Sequence, residues 1–322
     1  MSAAHSQPAP PPPASAAAQS STAQPQSAGR GVETQIGGRG NSFQIPGQRE
    51  SQTIVPTVVD VHPGMKKLLV IADVSTGLHH ESINHAMGVI EEMGRQTGLY
   101  YTVLRTDSQL VTKQPILGEP PRYTGQNVNA DNLNYFDAVY FLGSGVGHLS
   151  AQQKQDLISF VRDDGKGFVG GHASLVAFPD WPDFTLLTGG TSASTTPLDT
   201  MGLIVDDPAF AGSFPKTFNW FDQYFFMAPE FSSKNVHVIM RLDPRLMTKE
   251  QLARRPNGDG DFPAVWAYKL GKGRVFNSTI GHDERDWDDE KFKSMQLEAI
   301  KWALGLTDHD VTPGNSKPPI GK

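Results

Sequence analysis

Cysteine is missing from this chain of 322 residues, and its absence excludes several chemistries together. Without thiols the protein can form no disulfide, offer no thiolate to a metal and use no cysteine nucleophile. Catalysis or metal binding must therefore depend on oxygen ligands and on imidazole groups, and the chain has 10 histidines. The absence of cysteine is compatible with an oxidising or a reducing compartment.

Long apolar runs and basic clusters are missing as well. No segment reaches the roughly 18 apolar residues of a membrane span, so we expect no membrane insertion. The net charge is -6 and no Lys/Arg cluster forms a basic face, which argues against a nucleic-acid partner. The N-terminus lacks the features of a signal peptide, yet Ala/Pro/Gln-rich leaders of this kind often follow a cleaved signal. A periplasmic or secreted location and a cytoplasmic one are equally open.

Apolar residues are scarce over residues 1–57, where Ala, Pro, Gln, Ser and Gly dominate. Such a segment buries too little surface to offset the entropy of ordering, so we expect a disordered tail or one that orders on a partner or neighbouring subunit. In the second case its anchors would be Phe43, Ile45, Ile54 and Val55. We predict one α/β domain over residues 58–306 and a C-terminal tail over 307–322.

The globular part alternates strand-like and helix-like patterns. Lys66–Asp73 is typical of a strand covered on both faces, and Ser82–Gln96 has apolar residues at helical spacing. Ser150 and Gln153 form a capping box that predicts a second helix, and Glu81 or Ser82 is expected to cap the first. Further strands are predicted at Tyr101–Arg105, Ala138–Leu142, Gly167–Gly170, Leu203–Val205, Val236–Arg241, Ala264–Lys269 and Arg274–Thr279, with a closing helix at Glu290–Leu304. The fold class is therefore α/β, with a doubly wound, mostly parallel sheet of flavodoxin-like type.

Three glycine- and histidine-containing segments each follow an apolar run: GLHHES at 77–82, GGHAS at 170–174 and GHD at 281–283. The carboxyl ends of parallel strands meet along one edge of a sheet. We therefore expect a functional site at that edge, built from His79, His80, His172, His282 and Asp283.

His172 occupies the tip of GFVGGHAS, where hydrolases and amidotransferases built on such sheets carry a nucleophile. Imidazole is a poor replacement for that nucleophile, and Ser174 would need a base of its own. His172 suits proton transfer, hydrogen bonding to ligand oxygens or metal ligation. The alternative is that it only shapes the turn.

The two other segments offer further acid–base groups. Adjacent residues point in different directions, so at most two of His79, His80 and Glu81 can face one pocket, and Glu81 alternatively complements the helix dipole. Asp283 beside His282 suits an acid–base pair, although a solvated loop explains the charged residues after it as well. No cofactor is predicted otherwise, but a divalent metal held by His80, His172 and His282 is a further alternative.

Aromatic residues concentrate in the irregular middle of the chain, for example in FNWFDQYFF at 218–226. Flat rings beside polar groups suit the faces and hydroxyls of a sugar. On that interpretation the ligand-binding residues are Gly171, Ser174, Trp181, Asp222, Gln223 and Trp287. The alternative is that these side chains form core or an oligomer surface.

Taken in order, the segments resemble the trehalose-utilisation (ThuA-like) family from about Lys66 to Gly305. The likeness depends on KKLLVIADVSTGLHHESI, on DAVYFLGSGVGHLSAQQKQDLISFVRDDGKGFVGGHAS and on GDFPAVWAYKLGKGRVFNSTIGHDERDWDDEKF. The resemblance implies a class I glutamine amidotransferase-like fold and histidines at the positions of His80, His172 and His282. It also implies a role in disaccharide or keto-sugar metabolism.

The chain departs from the family pattern at two places. Relatives tend to carry His-Pro after the glycine pair that matches Gly189 and Gly190, whereas this chain reads GGTSASTTP. They also tend to have Asp-Glu where this chain has Asp222 and Gln223. Each departure removes a titratable group from the implied pocket and weakens the case for catalysis.

Two hypotheses follow. In the first, a small-molecule sugar is bound or transformed by His172 and His282, oriented by His80, Asp283 and Glu81, in isomerase, lyase or hydrolase chemistry. In the second, the protein is a non-catalytic binding or self-assembling homo-oligomer on a degenerate fold, with its N-terminal tail docked on neighbouring subunits. A glutamine amidotransferase is excluded because that reaction needs a cysteine.

Overall fold

A computed structural model describes residue 60 and residues 62–72, 80–117, 127–129, 131–145, 147–254 and 261–315. The predicted tail over 1–57, its four apolar anchors and His79 lie outside these residues. The strands are β1 (Lys66–Ile71), β2 (Tyr100–Arg105), β3 (Ile116–Leu117), β4 (Asn127–Asn129), β5 (Ala138–Phe141), β6 (Gly167–Gly170), β7 (Ser192–Thr195), β8 (Asp199–Val205), β9 (Thr217–Asp222), β10 (Phe225–Met227), β11 (His237–Leu242), β12 (Pro263–Leu270) and β13 (Gly273–Ser278).

Nine of these strands form one mixed sheet in the order β2-β1-β5-β6-β13-β12-β11-β8-β9. The first five are mutually parallel, and every pair from β13 to β9 is antiparallel. The carboxyl ends of β1, β5, β6 and β13 therefore lie along one edge, where ligands bind in sheets of this type. The remaining strands pair in two short antiparallel ladders, β10 with β7 and β3 with β4.

The helices follow the predicted alternation. They are α1 (Ser82–Thr97), α2 (Ala151–Arg162), α3 (Thr185–Thr188), α4 (Lys249–Ala253) and α5 (Glu290–Ala303). The capping box predicted for α2 is confirmed, because Ser150 accepts the N–H of Gln153 and the Gln153 side chain accepts the N–H of Ser150. After α5 the chain turns at Gly305, whose φ of 73° lies in the left-handed region that glycine adopts without strain.

Helices pack on both faces of the parallel half of the sheet. Its inner strands are buried on both faces, whereas the edge strand β2 is only partly buried. Leu68 and Val70 of β1 pack in the cluster that contains Ile83 of α1 and Phe292 of α5. Leu69 and Ile71 point the other way, into the cluster that contains Leu157 and Phe160 of α2. This alternation explains why the strand has no polar face, as the unbroken apolar run predicts.

The predicted fold class is confirmed, and most predicted elements lie within about two residues of those observed. The prediction that Glu81 or Ser82 caps α1 is wrong. Glu81 has helical dihedrals and makes no side-chain capping bond, and the Ser82 hydroxyl donates to the Gly281 carbonyl oxygen at 3.2 Å. The Ser82 hydroxyl therefore makes a tertiary contact in place of a local capping bond.

The C-terminal residues 307–315 pack against the antiparallel half of the sheet. Val311 belongs to the main core cluster, and the Asn315 side chain pairs with both the N–H and the carbonyl of Val238 in β11, at 2.7 and 2.9 Å. Among the described residues, no helix is long and apolar enough to span a bilayer.

Candidate metal and sugar site

Three histidines from distant parts of the chain meet at the predicted edge of the sheet. His80 precedes α1, His172 follows β6 and His282 follows β13. Their ring centroids are 4.9 to 5.4 Å apart, and one ligand nitrogen from each lies within 4.8 Å of the other two. The structure thus brings together one histidine from each of the three segments.

His172 is held in one tautomer. Its Nδ1 lies 2.5 Å from the Thr279 carbonyl oxygen, which can only accept, so Nδ1 carries the proton and Nε2 has a lone pair. Nε2 is buried and has no hydrogen-bond partner among the described residues. Burial lowers the pKa of His172 to about 3, helped by the neighbouring His282 and His80 and opposed by the Thr279 carbonyl. At neutral pH the ring is therefore an uncharged electron-pair donor.

Two glycines allow the chain to turn sharply before His172. A Cβ on Gly171 would lie 2.7 Å from Leu142, and one on Gly170 would overlap Asn277 Oδ1 and lie 2.7 Å from Ser174 Oγ. Ser174 is fully buried behind the turn, with its hydroxyl unpaired among the described groups. The glycines are thus needed for close packing of the elbow on β13, and Ser174 lies inside that packing.

His282 is presented by a turn that begins at Gly281. The φ of Gly281 is +113°, and a Cβ there would lie 2.9 Å from the Phe292 ring. The buried carboxylate of Asp222 accepts the backbone N–H groups of Gly281 at 2.6 Å and of His282 at 3.2 Å. Asp222, predicted as a ligand-binding residue, is placed beneath the turn with no exposed surface.

Asp286 is buried near Asp222, and its Oδ2 has no hydrogen-bond partner among the described residues. Burial raises the pKa of both carboxyl groups, and the charge of Asp222 raises that of Asp286 further. Asp222 receives three backbone N–H bonds, counting that of Gln223, and these favour its ionised form.

The two carboxylates predicted beside the histidines, Asp283 and Glu81, differ in their bonding partners. Asp283 binds Arg285 through both oxygens, at 2.8 and 2.5 Å, and this guanidinium lowers the pKa of Asp283. Glu81 is exposed at the start of α1 and makes no capping bond. Burial lowers the pKa of His282, while the charges of Asp283 and Glu81 oppose that shift. Both carboxylates thus act on His282 through space.

The remaining predicted ligand-binding residues are Gln223, Trp287 and Trp181, and they differ in burial. Gln223 is half-buried and close enough to His172 to favour its protonated form slightly. Trp287 is buried beneath the His282 turn, where its indole N–H donates to the Gly281 carbonyl oxygen at 3.3 Å. Trp181 packs against Phe178 and Phe184 in the core cluster that contains α2. Trp287 and Trp181 are 2% and 8% exposed, so neither presents an open face to a sugar.

Two site residues were not singled out in the sequence. Phe225 of β10 packs its ring 4.4 Å from that of His172 and is 3% exposed, and Thr279 fixes the tautomer of His172 with a main-chain oxygen. No side-chain pattern can reveal a carbonyl contact. The alternation of polar and apolar residues at the start of β9 is a strand signal, but it does not place Asp222 or Phe225 beside the histidines.

The donor set fits a divalent transition metal. Three imidazoles suit zinc, copper, iron or nickel, and three protein ligands leave coordination positions for a substrate. A metal-binding histidine usually donates its second N–H to a carbonyl or carboxylate, as His172 does to Thr279. The uncharged Nε2 of His172 is the donor that such a metal requires.

The chain matches a protein-family model and is similar in fold to solved structures. The family model ThuA, described as trehalose utilisation, matches residues 67–303. A ThuA-like protein from Bacteroides uniformis ATCC 8492 is 18% identical with a TM-score of 0.56, over 77% of this chain and 94% of that one. A ThuA-like protein from Parabacteroides merdae ATCC 43184 is 16% identical with a TM-score of 0.55, over 74% and 90%. At these identities the likeness shows the fold. No curated protein is significantly similar.

Proposed function

The chain belongs to the ThuA, or trehalose-utilisation, family, and from that premise we propose that it binds a sugar or keto-sugar at a divalent metal held by His80, His172 and His282. Family membership suggests a carbohydrate-related role. The proposed activity is proton transfer at a carbon or oxygen of the sugar, as in an isomerase or lyase.

One observation carries the proposal: a ligand nitrogen from each histidine lies within 4.8 Å of the other two, although the residues come from three separate loops. Among the described residues, the buried Nε2 of His172 and Nδ1 of His282 have no hydrogen-bond partner, and each unsatisfied buried atom costs roughly 1–3 kcal/mol. A bound cation would pair with such atoms. The arrangement therefore supports a metal site more strongly than a purely structural cluster.

A bound divalent metal would act as a Lewis acid that polarises a sugar carbonyl or hydroxyl. His172 would hold its lone pair in place because Thr279 fixes its ring. Glu81 is the better candidate for a proton acceptor, since Asp283 is bound to Arg285 through both oxygens. The Phe225 ring beside His172 would exclude water from one side of the metal site.

A ligand screen by differential scanning fluorimetry tests the proposal. Trehalose, glucose and their 3-keto derivatives would each be added to wild-type protein with and without Zn²⁺ or Mn²⁺, since ligands of the native state raise its melting temperature. We expect a sugar-dependent shift that needs the metal. Glu81→Gln should keep this shift, because Glu81 is proposed to act in turnover and not in binding. A sugar shift that is independent of metal and unchanged in His172→Ala would contradict the proposal.

A further inference from the structure

The carboxylate of Asp222 connects two distant parts of the sheet. Asp222 is the last residue of β9, which is four positions from β13 in the strand order, yet it binds the turn that follows β13. Gly281 and Asp222 are 59 residues apart in sequence, and Asp222 is fully buried. The position of the His282 backbone therefore depends on a side chain of the antiparallel half of the molecule.

Both oxygens of Asp222 are needed as acceptors. Oδ2 accepts the N–H of Gly281 at 2.6 Å, while Oδ1 accepts those of Gln223 at 2.7 Å and His282 at 3.2 Å. An asparagine has one acceptor oxygen, so its amide NH₂ would face a backbone N–H in either orientation. A buried donor without an acceptor costs roughly 1–3 kcal/mol, and the turn would move to relieve the conflict.

Asp286 provides a matched control. Its carboxyl group is also buried, but its Oδ2 has no hydrogen-bond partner among the described residues, and the backbone N–H groups of Gly281 and His282 are bound by Asp222 instead. An asparagine at position 286 has nearly the same shape as a carboxylic acid, so it leaves those two bonds unchanged.

We propose that Asp222 is a positioning residue, which holds the backbone of Gly281 and His282 so that His282 completes the three-histidine site. The inference depends on the proposed metal site. It assigns Asp222 a role without direct contact with sugar, and it predicts that chemically identical Asp→Asn changes at the two positions have unequal effects.

Titration of the metal-free full chain with Co²⁺, followed by the visible absorption of the bound ion, tests this inequality. The variants are Asp222→Asn, Asp286→Asn, His282→Ala and the double variant Asp222→Asn/His282→Ala. We expect Asp222→Asn to weaken Co²⁺ binding by roughly 10–100-fold, the range found for residues that orient metal ligands. Asp286→Asn should stay within about twofold of the wild type.

The double variant separates positioning from general destabilisation. If Asp222 acts through His282, then Asp222→Asn causes no further loss of affinity once His282 is alanine. Equal losses in both backgrounds, or equal effects of the two Asp→Asn changes, would overturn the inference.

The backbone amide proton shifts of Gly281 and His282 provide a second readout on metal-free protein. Both should move upfield in Asp222→Asn and remain near their wild-type positions in Asp286→Asn. If the wild-type protein binds no Co²⁺, the proposed metal site is wrong. Unchanged amide proton shifts in Asp222→Asn would contradict the role of Asp222 in holding the turn, whether or not metal binds.

Discussion

The Nδ1 atom of His172 donates to the carbonyl oxygen of Thr279, 107 residues away along the chain. This contact ties the elbow after β6 to the end of β13, three residues before His282. It sets the rotation of the His172 ring and leaves Nε2 as the free lone pair. The tautomer and the ring orientation of His172 thus depend on a single main-chain acceptor.

Replacing His172 by alanine should abolish stabilisation by metal. A divalent ion at about 100 times its Kd stabilises a folded protein by about 2.7 kcal/mol, which corresponds to a rise of roughly 5–10 °C in Tm for a domain of this size. We expect that rise with Zn²⁺ in the wild type and none in His172→Ala. The matched control is His85→Ala, because His85 is partly exposed and bonded to Asp288. A full shift in His172→Ala would count against the site.

Gly281→Ala should destabilise the protein. Alanine would have to adopt a φ of +113° with its Cβ 2.9 Å from Phe292, so we expect a loss of roughly 2–4 kcal/mol in the free energy of unfolding. The control is Gly88→Ala, at an exposed position in α1 where a Cβ meets nothing within 4 Å. That change should stabilise by about 0.5–1 kcal/mol. Urea unfolding measures both, and similar values for the two variants would refute the interpretation.

Stability should depend on pH through His237, remote from the histidine cluster in sequence. Burial alone would lower the pKa of His237, but its bonds to Asp207 at 2.9 Å and to the Thr312 carbonyl outweigh burial and raise the pKa above 6.5. The native state therefore binds this proton more tightly than the unfolded chain. The resulting stabilisation is fully present below pH 6.5 and is lost as pH rises through the raised pKa.

The measurement for this group is urea unfolding of wild type and His237→Gln at about pH 5.5 and about pH 8.5. The difference in unfolding free energy between the two proteins should be larger at the lower pH. Asp207→Asn should reduce the pH dependence as His237→Gln does, because it removes the charge that stabilises the imidazolium. A difference that grows towards alkaline pH would contradict the assignment.

Gln223→Glu should change the metal preference of the site. The half-buried Gln223 lies near His172, so a carboxylate there would offer a hard oxygen ligand next to three imidazoles. Oxygen ligands favour Mn²⁺ and Mg²⁺, and the ratio of Mn²⁺ to Zn²⁺ affinity should rise by roughly tenfold. Isothermal titration with each metal gives the ratio. An unchanged ratio would show that residue 223 does not reach the coordination sphere.

Much of the fold and the location of the site could be predicted because the signals are local. The apolar run of β1 and the capping box of α2 are each visible within a few neighbouring residues of the sequence. The rule that parallel strands end along one edge predicts that His80, His172 and His282 lie close together, and they do. The rings meet as that rule predicts, although the sequence left open whether they face one another.

The parts that could not be predicted depend on partners distant in sequence. Ser82 reads as a capping residue, but its hydroxyl is bonded to Gly281, 199 residues away. The sequence predicts Asp222 as a ligand-binding carboxylate because it lies in an aromatic segment. In the fold it is buried under the His282 turn and bonded to the backbone of that turn. Trp181 and Trp287 carry the flat rings that a sugar site needs, but packing against neighbouring core residues covers both.

Equilibrium dialysis against Zn²⁺, with elemental analysis of the protein, tests the central claim most directly. The wild type should retain close to one equivalent per chain at micromolar free metal, and the variant with His80, His172 and His282 all changed to alanine should retain essentially none while keeping its circular dichroism spectrum. Equal zinc contents in the two proteins, whether high or near zero, would contradict a three-histidine metal site.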